Sequence, residues 1–269
     1  MSNARFVESP VEFSRRFCHD TQSIHAWAGH SSLVEFVTTD LPPNEGDPAR
    51  LRVTFNHRWP VAIMLLIIIC AVGAIRLRLL NLPLERDEGE YAYAGQLMLQ
   101  GVPPYKLAYS MKLPGTYAAY AVIMALLGQT IGAIHFGLIL INSITILLVY
   151  FMGRRLLGRV GGIVSAGVFA LLSLSHSVLG LAAHATHFLT LFAMAGVLLL
   201  LRAAENRRFS EIFTAGLSFG LAFLMKQNGI FFGLAGGLFL LWHEFQGPTV
   251  DRRASVGRIA LFCAGHCCR

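Results

Sequence analysis

The chain has 269 residues, of which 55% are apolar and 14% charged, with 26 glycines and 19 phenylalanines. Its mean hydropathy of +0.57 excludes an ordinary soluble domain and fits a polytopic helical membrane protein, in which each helix satisfies its own backbone groups. The formal charge of +7 is dispersed in short clusters between apolar runs, as the positive-inside rule leaves it, and argues against a nucleic-acid surface.

Residues 1–56 are polar and mixed, with Pro42, Pro43 and Gly46 marking a flexible stretch, and no secretory pattern opens them. They are expected to form a soluble amino-terminal extension. The first span is expected from Trp59 to Ile75, bounded by His57 and Arg58 before it and by Arg76 and Arg78 after it. These last two arginines are long enough to snorkel to the interface.

Residues 81–133 then form a charged, aromatic, proline-punctuated loop. Its apolar part, Thr116–Leu127, decides the topology. A span needs ~20 residues, and only a dozen lie between Gly115 and Gly128. If this stretch lies in the interface or re-enters, GRRLLGR (153–159), RAAENRR (202–208) and the Asp251–Arg252–Arg253 cluster all fall on the side of the amino terminus. The positive-inside rule is then obeyed at every loop.

The remaining spans follow: His135–Met152 inward, Val160–Leu174 outward, an outer turn over Ser175–His187, and Phe188–Leu201 inward. Ile212–Leu224 goes outward, MKQNG turns, and Ile230–Trp242 returns. Arg258–Ala264 reads as the start of a further span cut off at Arg269, the expectation being a fragment or truncated product. Cys18, Cys70, Cys263, Cys267 and Cys268 form no CxxC pair, and CAGHCC is only a loose metal-chelating run. No internal repeat or heptad array is present.

Chemistry is sought first at Asp87 and Glu88, because an ionised pair beside a membrane is costly unless it is solvated, paired or used. A second reading makes Asp87 the N-cap and Glu90 the third helical residue of a capping box over Glu88–Gln100, and the two roles are compatible. Tyr91, Ala94, Leu97 and Met98 would share the apolar face of that interfacial helix. Tyr91, Tyr93, Tyr105 and Tyr109 suit a membrane interface. Lys112, stiffened by the nearby Pro114, is placed to bind a lipid phosphate or simply to snorkel; Arg86 and Lys106 are weaker candidates of the same kind.

On the second outer turn lie His176, His184 and His187. His184 and His187, three apart, would share a helix face, a spacing open to substrate contact or metal ligation, though no third ligand is evident. Lys226 and Gln227 cap another outer end, where either anion contact or anchoring would serve. No Walker loop, strand-borne GxGxxG or HExxH occurs.

ERDEGEYAYAGQLMLQG followed by PPYKLAYSMKLPG resembles the first outer loop of the protein mannosyltransferase family, glycosyltransferase family 39. That family includes the bacterial aminoarabinose transferases that modify lipid A. The likeness extends through GRRLLG, LAAHATHF and GLAFLMKQNG, about Trp59 to Trp242. It implies a GT-C membrane enzyme that moves a sugar, with inversion, from a polyprenyl monophosphate to a lipid or protein acceptor on the non-cytoplasmic face. Asp87 matches the family's catalytic aspartate, Glu88 its acidic neighbour, and Lys112 the lysine near the donor phosphate, although the bacterial relatives read KPP where this chain reads KLP. Many relatives also carry an arginine and an aspartate on the second outer turn, where this chain has Ala183 and Phe188.

The expectation is therefore an all-α transmembrane bundle over residues 57–269, with residues 81–133 as its outer catalytic loop. Asp87 and Glu88 are expected at the catalytic centre, Lys112, Arg86 and Lys226 at the donor phosphate, and Tyr91, His184 and His187 as substrate or metal contacts. The expected partners are a polyprenyl-phosphate-linked sugar, a lipid or protein acceptor and membrane lipids, and no nucleic acid. No cofactor is assigned and a divalent metal stays open. The expected location is a bacterial inner membrane with the loop on the periplasmic face. A transporter or flippase, or an inactive truncated remnant, is the alternative.

Overall fold

The computed structural model describes residues 58–108, 110–206, 208–245 and 252–267. The extension expected over 1–56, and with it Cys18, together with Tyr109, Asp251 and Cys268, lies outside the described residues. Helices occur in the order α1 (Arg58–Arg78), α2 (Arg86–Leu99), α3 (Gly115–Leu127), α4 (Ile131–Leu172), a 3-10 turn (His176–Val178), α5 (Ala185–Asn206), α6 (Phe209–Met225), α7 (Gly229–Phe245) and α8 (Arg252–Cys267). No strand occurs among the described residues. The fold is all-α, as expected.

Trp59–Arg78, Ile131–Leu172 and Ala185–Asn206 are long and apolar enough to cross a membrane, while the helices within α3, α6, α7 and α8 are shorter. The second of these breaks at Gly158, whose φ of +77° only glycine adopts without strain. Its two arms, 131–157 and 159–172, correspond to the two spans expected on either side of GRRLLGR. The arms fold back closely, since a Cβ on Gly162 would come within 2.9 Å of the Tyr150 carbonyl.

Arg76 corrects the sequence reading. Instead of snorkelling to the interface it is buried, and its guanidinium donates to the carbonyls of Ser173 at 2.7 Å and Gly180 at 2.8 Å. The carbonyl end of α4 offers a buried cation the partners that a lipid headgroup would otherwise supply. Arg78 is exposed. At the other end of the bundle Arg155 donates to the Leu201 carbonyl at 2.8 Å and pairs with Glu205, tying the first arm of α4 to α5. A buried Glu244–Arg258 pair does the same for α7 and α8.

Both ends of α3 lie at one end of the bundle. At its start a Cβ on Gly115 would come within 2.5 Å of the Leu224 carbonyl, and the Thr116 hydroxyl donates to the Met225 carbonyl at 2.8 Å. Just past its end Gly132 faces Asn81, and His135 Nδ1 donates to the Leu80 carbonyl at 2.8 Å. The chain thus enters α4 beside the residues through which it left α1. Thirteen residues of α3 span roughly 20 Å.

An accessibility experiment tests this arrangement. In a background freed of native cysteines, Gln129→Cys and Asn81→Cys are expected to react with an impermeant thiol reagent from one side, and Arg159→Cys from the other. Gln129→Cys reacting together with Arg159→Cys would make α3 a span.

Beneath α2 and α3 sits a core cluster of Tyr91, Tyr117, Tyr120, Met124 and Phe188. Tyr91 and Ala94 are buried as the amphipathic reading expects, and Tyr93 points outward at 52% exposure. Tyr120, wholly buried, donates to the Ala183 carbonyl at 2.7 Å, fixing the second outer turn against α3. A hydrogen bond of this kind adds about 1 kcal/mol.

Candidate active site

The site begins with where α2 starts. The capping box read from Asp87 and Glu90 is not the one formed: the N-cap is Glu85, and Glu88 at the third position accepts from the Glu85 amide at 2.9 Å. The helix starts earlier because Glu88, 2% exposed, is drawn inward by two further partners. Its Oε1 accepts from the Ala183 amide and faces His135 Nε2 at 3.4 Å. Relieved of capping, Asp87 and Glu90 lie three apart on one helix face.

Between those two carboxylates stands Lys112. Its ammonium lies 2.9 Å from Glu90 Oε2 and 3.3 Å from Asp87 Oδ1, and 4.7 Å above the Tyr91 ring. Tyr117 donates to the other oxygen of Glu90 at 3.1 Å. Tyr105, in a left-handed conformation at φ +70°, donates its hydroxyl to the Lys112 carbonyl at 2.7 Å and so pins the backbone of the KLP segment.

The second outer turn adds His184, whose Nε2 lies 3.4 Å from Asp87 Oδ2. Its Nδ1 lies 3.0 Å from the Thr186 hydroxyl, which in turn accepts from Lys226 Nζ at 3.1 Å. A cavity of about 570 Å³ opens among these groups, lined by Asp87, Tyr91, Lys112, His184, Lys226 and Asn228 and floored by Thr116. Residues from three separated segments, 87–116, 184–185 and 225–228, therefore converge on one space.

Electrostatics follow from the geometry. Partial burial works against ionising Asp87, but the hydrogen bond and charge of Lys112, helped by His184 and Arg86, outweigh it and hold the carboxyl below the ordinary aspartate range. Glu90 is lowered in the same way: burial opposes, and Lys112 with Ser110 and Tyr117 prevails. Burial also opposes the charge on Lys112, yet Glu90, Tyr91 and Asp87 together raise it above the ordinary lysine value. For His184, burial first and the charge of Lys226 second hold the imidazole below its ordinary value, against the pull of Asp87. At neutral pH the cavity therefore presents an ionised aspartate, two ammonium groups and a neutral imidazole.

Of the residues singled out in the sequence, Asp87, Tyr91, Lys112, His184 and Lys226 line this cavity. Glu88 does not: its oxygens are taken by the Ala183 and Glu85 amides and it looks instead toward a second cavity of about 400 Å³ shared with Glu85, His135 and His176. Arg86, with 95% of its side chain exposed, touches Asp87 only from the rim at 3.7 Å. His187 does not share a face with His184; it engages the backbone of Leu179, because the helix begins at Ala185 and His184 precedes it. Among the described residues no three His, Cys, Asp or Glu side chains converge on a metal-sized point. The place between Asp87 and Glu90 where a cation would sit is filled by the Lys112 ammonium.

Glu90 and Thr186 were missed as site residues. Glu90 was legible as the i+3 partner of Asp87 once the helix start is moved to Arg86. Thr186, a small polar residue between two histidines, carried no signal of its own.

The family signature of the dolichyl-phosphate-mannose-protein mannosyltransferases matches residues 112–264. The chain belongs to this family. It is accordingly an integral membrane glycosyltransferase of the GT-C type. No curated protein and no solved structure matches the chain significantly. The matched stretch begins at Lys112, so the assignment of Asp87 rests on the resemblance of its loop and on the geometry above. This transferase places Ala183 and Phe188 in its core, the former bonding Glu88 and Tyr120, the latter packed on the Tyr120 ring.

Proposed function

We propose that this transferase moves a sugar from a polyprenyl-phosphate donor to a hydroxyl of a lipid or protein acceptor, with inversion, on the non-cytoplasmic face of a bacterial inner membrane. Asp87 acts as the general base. Lys112 and Lys226 hold the donor phosphate. The supporting observation is that one carboxylate and two ammonium groups, drawn from the start of α2, the loop before α3 and the turn after α6, open on a single cavity.

The reaction balances on these groups. The acceptor oxygen forms a bond to the anomeric carbon and loses its proton to Asp87, while the bond from that carbon to the phosphate oxygen breaks with its electron pair. The leaving polyprenyl phosphate gains one negative charge as it departs. Cations fixed beside that oxygen lower the barrier because the charge develops in the transition state. A single base with cations at the leaving group suits inversion, whereas a double-displacement enzyme needs a second carboxylate as nucleophile. Glu90 is not free for that role, being held by Lys112 and Tyr117.

Proteoliposomes carrying the protein, given radiolabelled polyprenyl-phosphate sugar and a membrane extract as acceptor source, are expected to yield labelled acceptor with the opposite anomeric configuration. Label that crosses the bilayer still attached to its lipid would make the protein a carrier. Label that neither transfers nor crosses would leave it inactive.

A further inference from the structure

We infer that His184 is a positioning residue for Asp87, held as the neutral Nε2–H tautomer by Thr186 and Lys226. This deepens the reading of Asp87 as the base and rests on it. The argument is one of donors and acceptors. An ammonium has only protons to give, so the Lys226–Thr186 contact at 3.1 Å uses one of the two lone pairs of the Thr186 oxygen. The threonine proton is free to be donated to its other neighbour, His184 Nδ1, at 3.0 Å, and a fixed donor on the same nitrogen sets that direction.

The backbone N–H of Thr186 also donates to Nδ1, at 3.4 Å. Two donors on one ring nitrogen leave no room for a proton there. In a neutral imidazole the proton must sit on Nε2, the nitrogen that faces Asp87 Oδ2 at 3.4 Å. That contact is long, as catalytic hydrogen bonds often are before substrate arrives. The imidazole packs against the Tyr91 ring, centroids 6.4 Å apart, which limits its rotation.

The arrangement gives each Asp87 oxygen its own partner. Lys112 lies on Oδ1, from the loop before α3, and His184 lies on Oδ2, from the turn before α5. A phosphate entering the cavity is drawn to the ammonium of Lys112 more strongly than to a neutral N–H, because a charge-assisted hydrogen bond is the stronger one. His184 therefore keeps the carboxylate plane fixed while Oδ1 is released to the acceptor hydroxyl. The charged groups bearing on the imidazole are Asp87 and Glu85 at the start of α2 and Lys226 after α6; His187 is the titratable neighbour on its own segment.

The test compares His184→Ala, His184→Gln, Thr186→Val and Thr186→Ser in the transfer assay, with Asp87→Asn alongside. A residue that orients a working ligand is typically worth about 10–100-fold. His184→Ala is expected to lose that much in kcat with little change in KM, and to shift the acid limb of kcat/KM to higher pH, because a donor to the carboxylate favours its ionised form. Glutamine, whose amide nitrogen reaches the Nε2 position, is expected to restore most of the rate. Thr186→Val is expected to reproduce a milder form of the loss, and Thr186→Ser to remove it.

An unchanged rate and acid limb in His184→Ala would overturn the inference, as would a glutamine variant as slow as alanine. Because the Thr186 pair removes or restores one hydroxyl, it decides the matter if the His184 variants misfold, and equal rates in valine and serine would also overturn it. Full transfer by Asp87→Asn would instead defeat the reading of Asp87 as base.

Discussion

Asp87→Asn is expected to lower kcat for sugar transfer by about 10²–10⁴-fold, the range that a positioned general base contributes. The substitution keeps shape and leaves an oxygen for Lys112, so the loss isolates the proton acceptor from the packing. KM for the donor should change little, since Asp87 bears on the acceptor hydroxyl while the lysines bear on the phosphate.

The pH dependence has a definite sign. Activity requires the ionised carboxylate, and Lys112 holds Asp87 below the ordinary aspartate range. kcat/KM, which reports the free enzyme, therefore stays flat as pH falls through mild acidity and drops only once pH passes below the usual aspartate value, about 3.9. A kcat/KM profile falling already near neutrality would show that another group supplies the proton acceptor. Transfer by Asp87→Asn at the wild-type rate would remove Asp87 from the chemistry altogether.

How much of this was legible beforehand varies from residue to residue. The apolar runs gave the helices, and the charged GRRLLGR marked the connection within which the chain breaks at Gly158, because hydropathy and charge are local properties. Asp87 and Lys112 were found for the same reason, each being a charge that a membrane surface must account for. The inward turn of Glu88 was not legible: it depends on the Ala183 amide, 95 positions away, and on His135. Nor was the burial of Arg76, whose partners lie 97 and 104 positions along the chain. The two-residue error in the start of α2 had a larger consequence than its size implies. It assigned Asp87 and Glu90 to a cap, and so hid the fact that both face one lysine.

Lys112→Met is expected to be the other large loss, because one ammonium serves both halves of the reaction. As a cation at the leaving phosphate it should be worth roughly 10²–10³-fold in kcat, the scale for a group aimed at developing charge. As the partner of Asp87 it sets the basicity of the free enzyme. A base held below its usual value is a weaker one, and the weakness is useful until the donor is in place. When the donor phosphate draws Lys112 from Asp87, the carboxylate loses its strongest stabilising neighbour and becomes a better proton acceptor.

Two profiles then separate. The kcat/KM curve reports the free enzyme and the kcat curve the loaded one, so in the wild type the acid limb of kcat lies at higher pH than that of kcat/KM. In Lys112→Met the free enzyme no longer has the ammonium, its limb moves up, and the two curves coincide. Glu90→Gln, which loosens the ammonium without removing it, should raise donor KM and leave the separation visible. Coincident limbs in the wild type would mean that donor binding does not take Lys112 from Asp87. A methionine variant with unchanged kcat would place the donor phosphate elsewhere in the cavity, with Lys226 as its remaining cation.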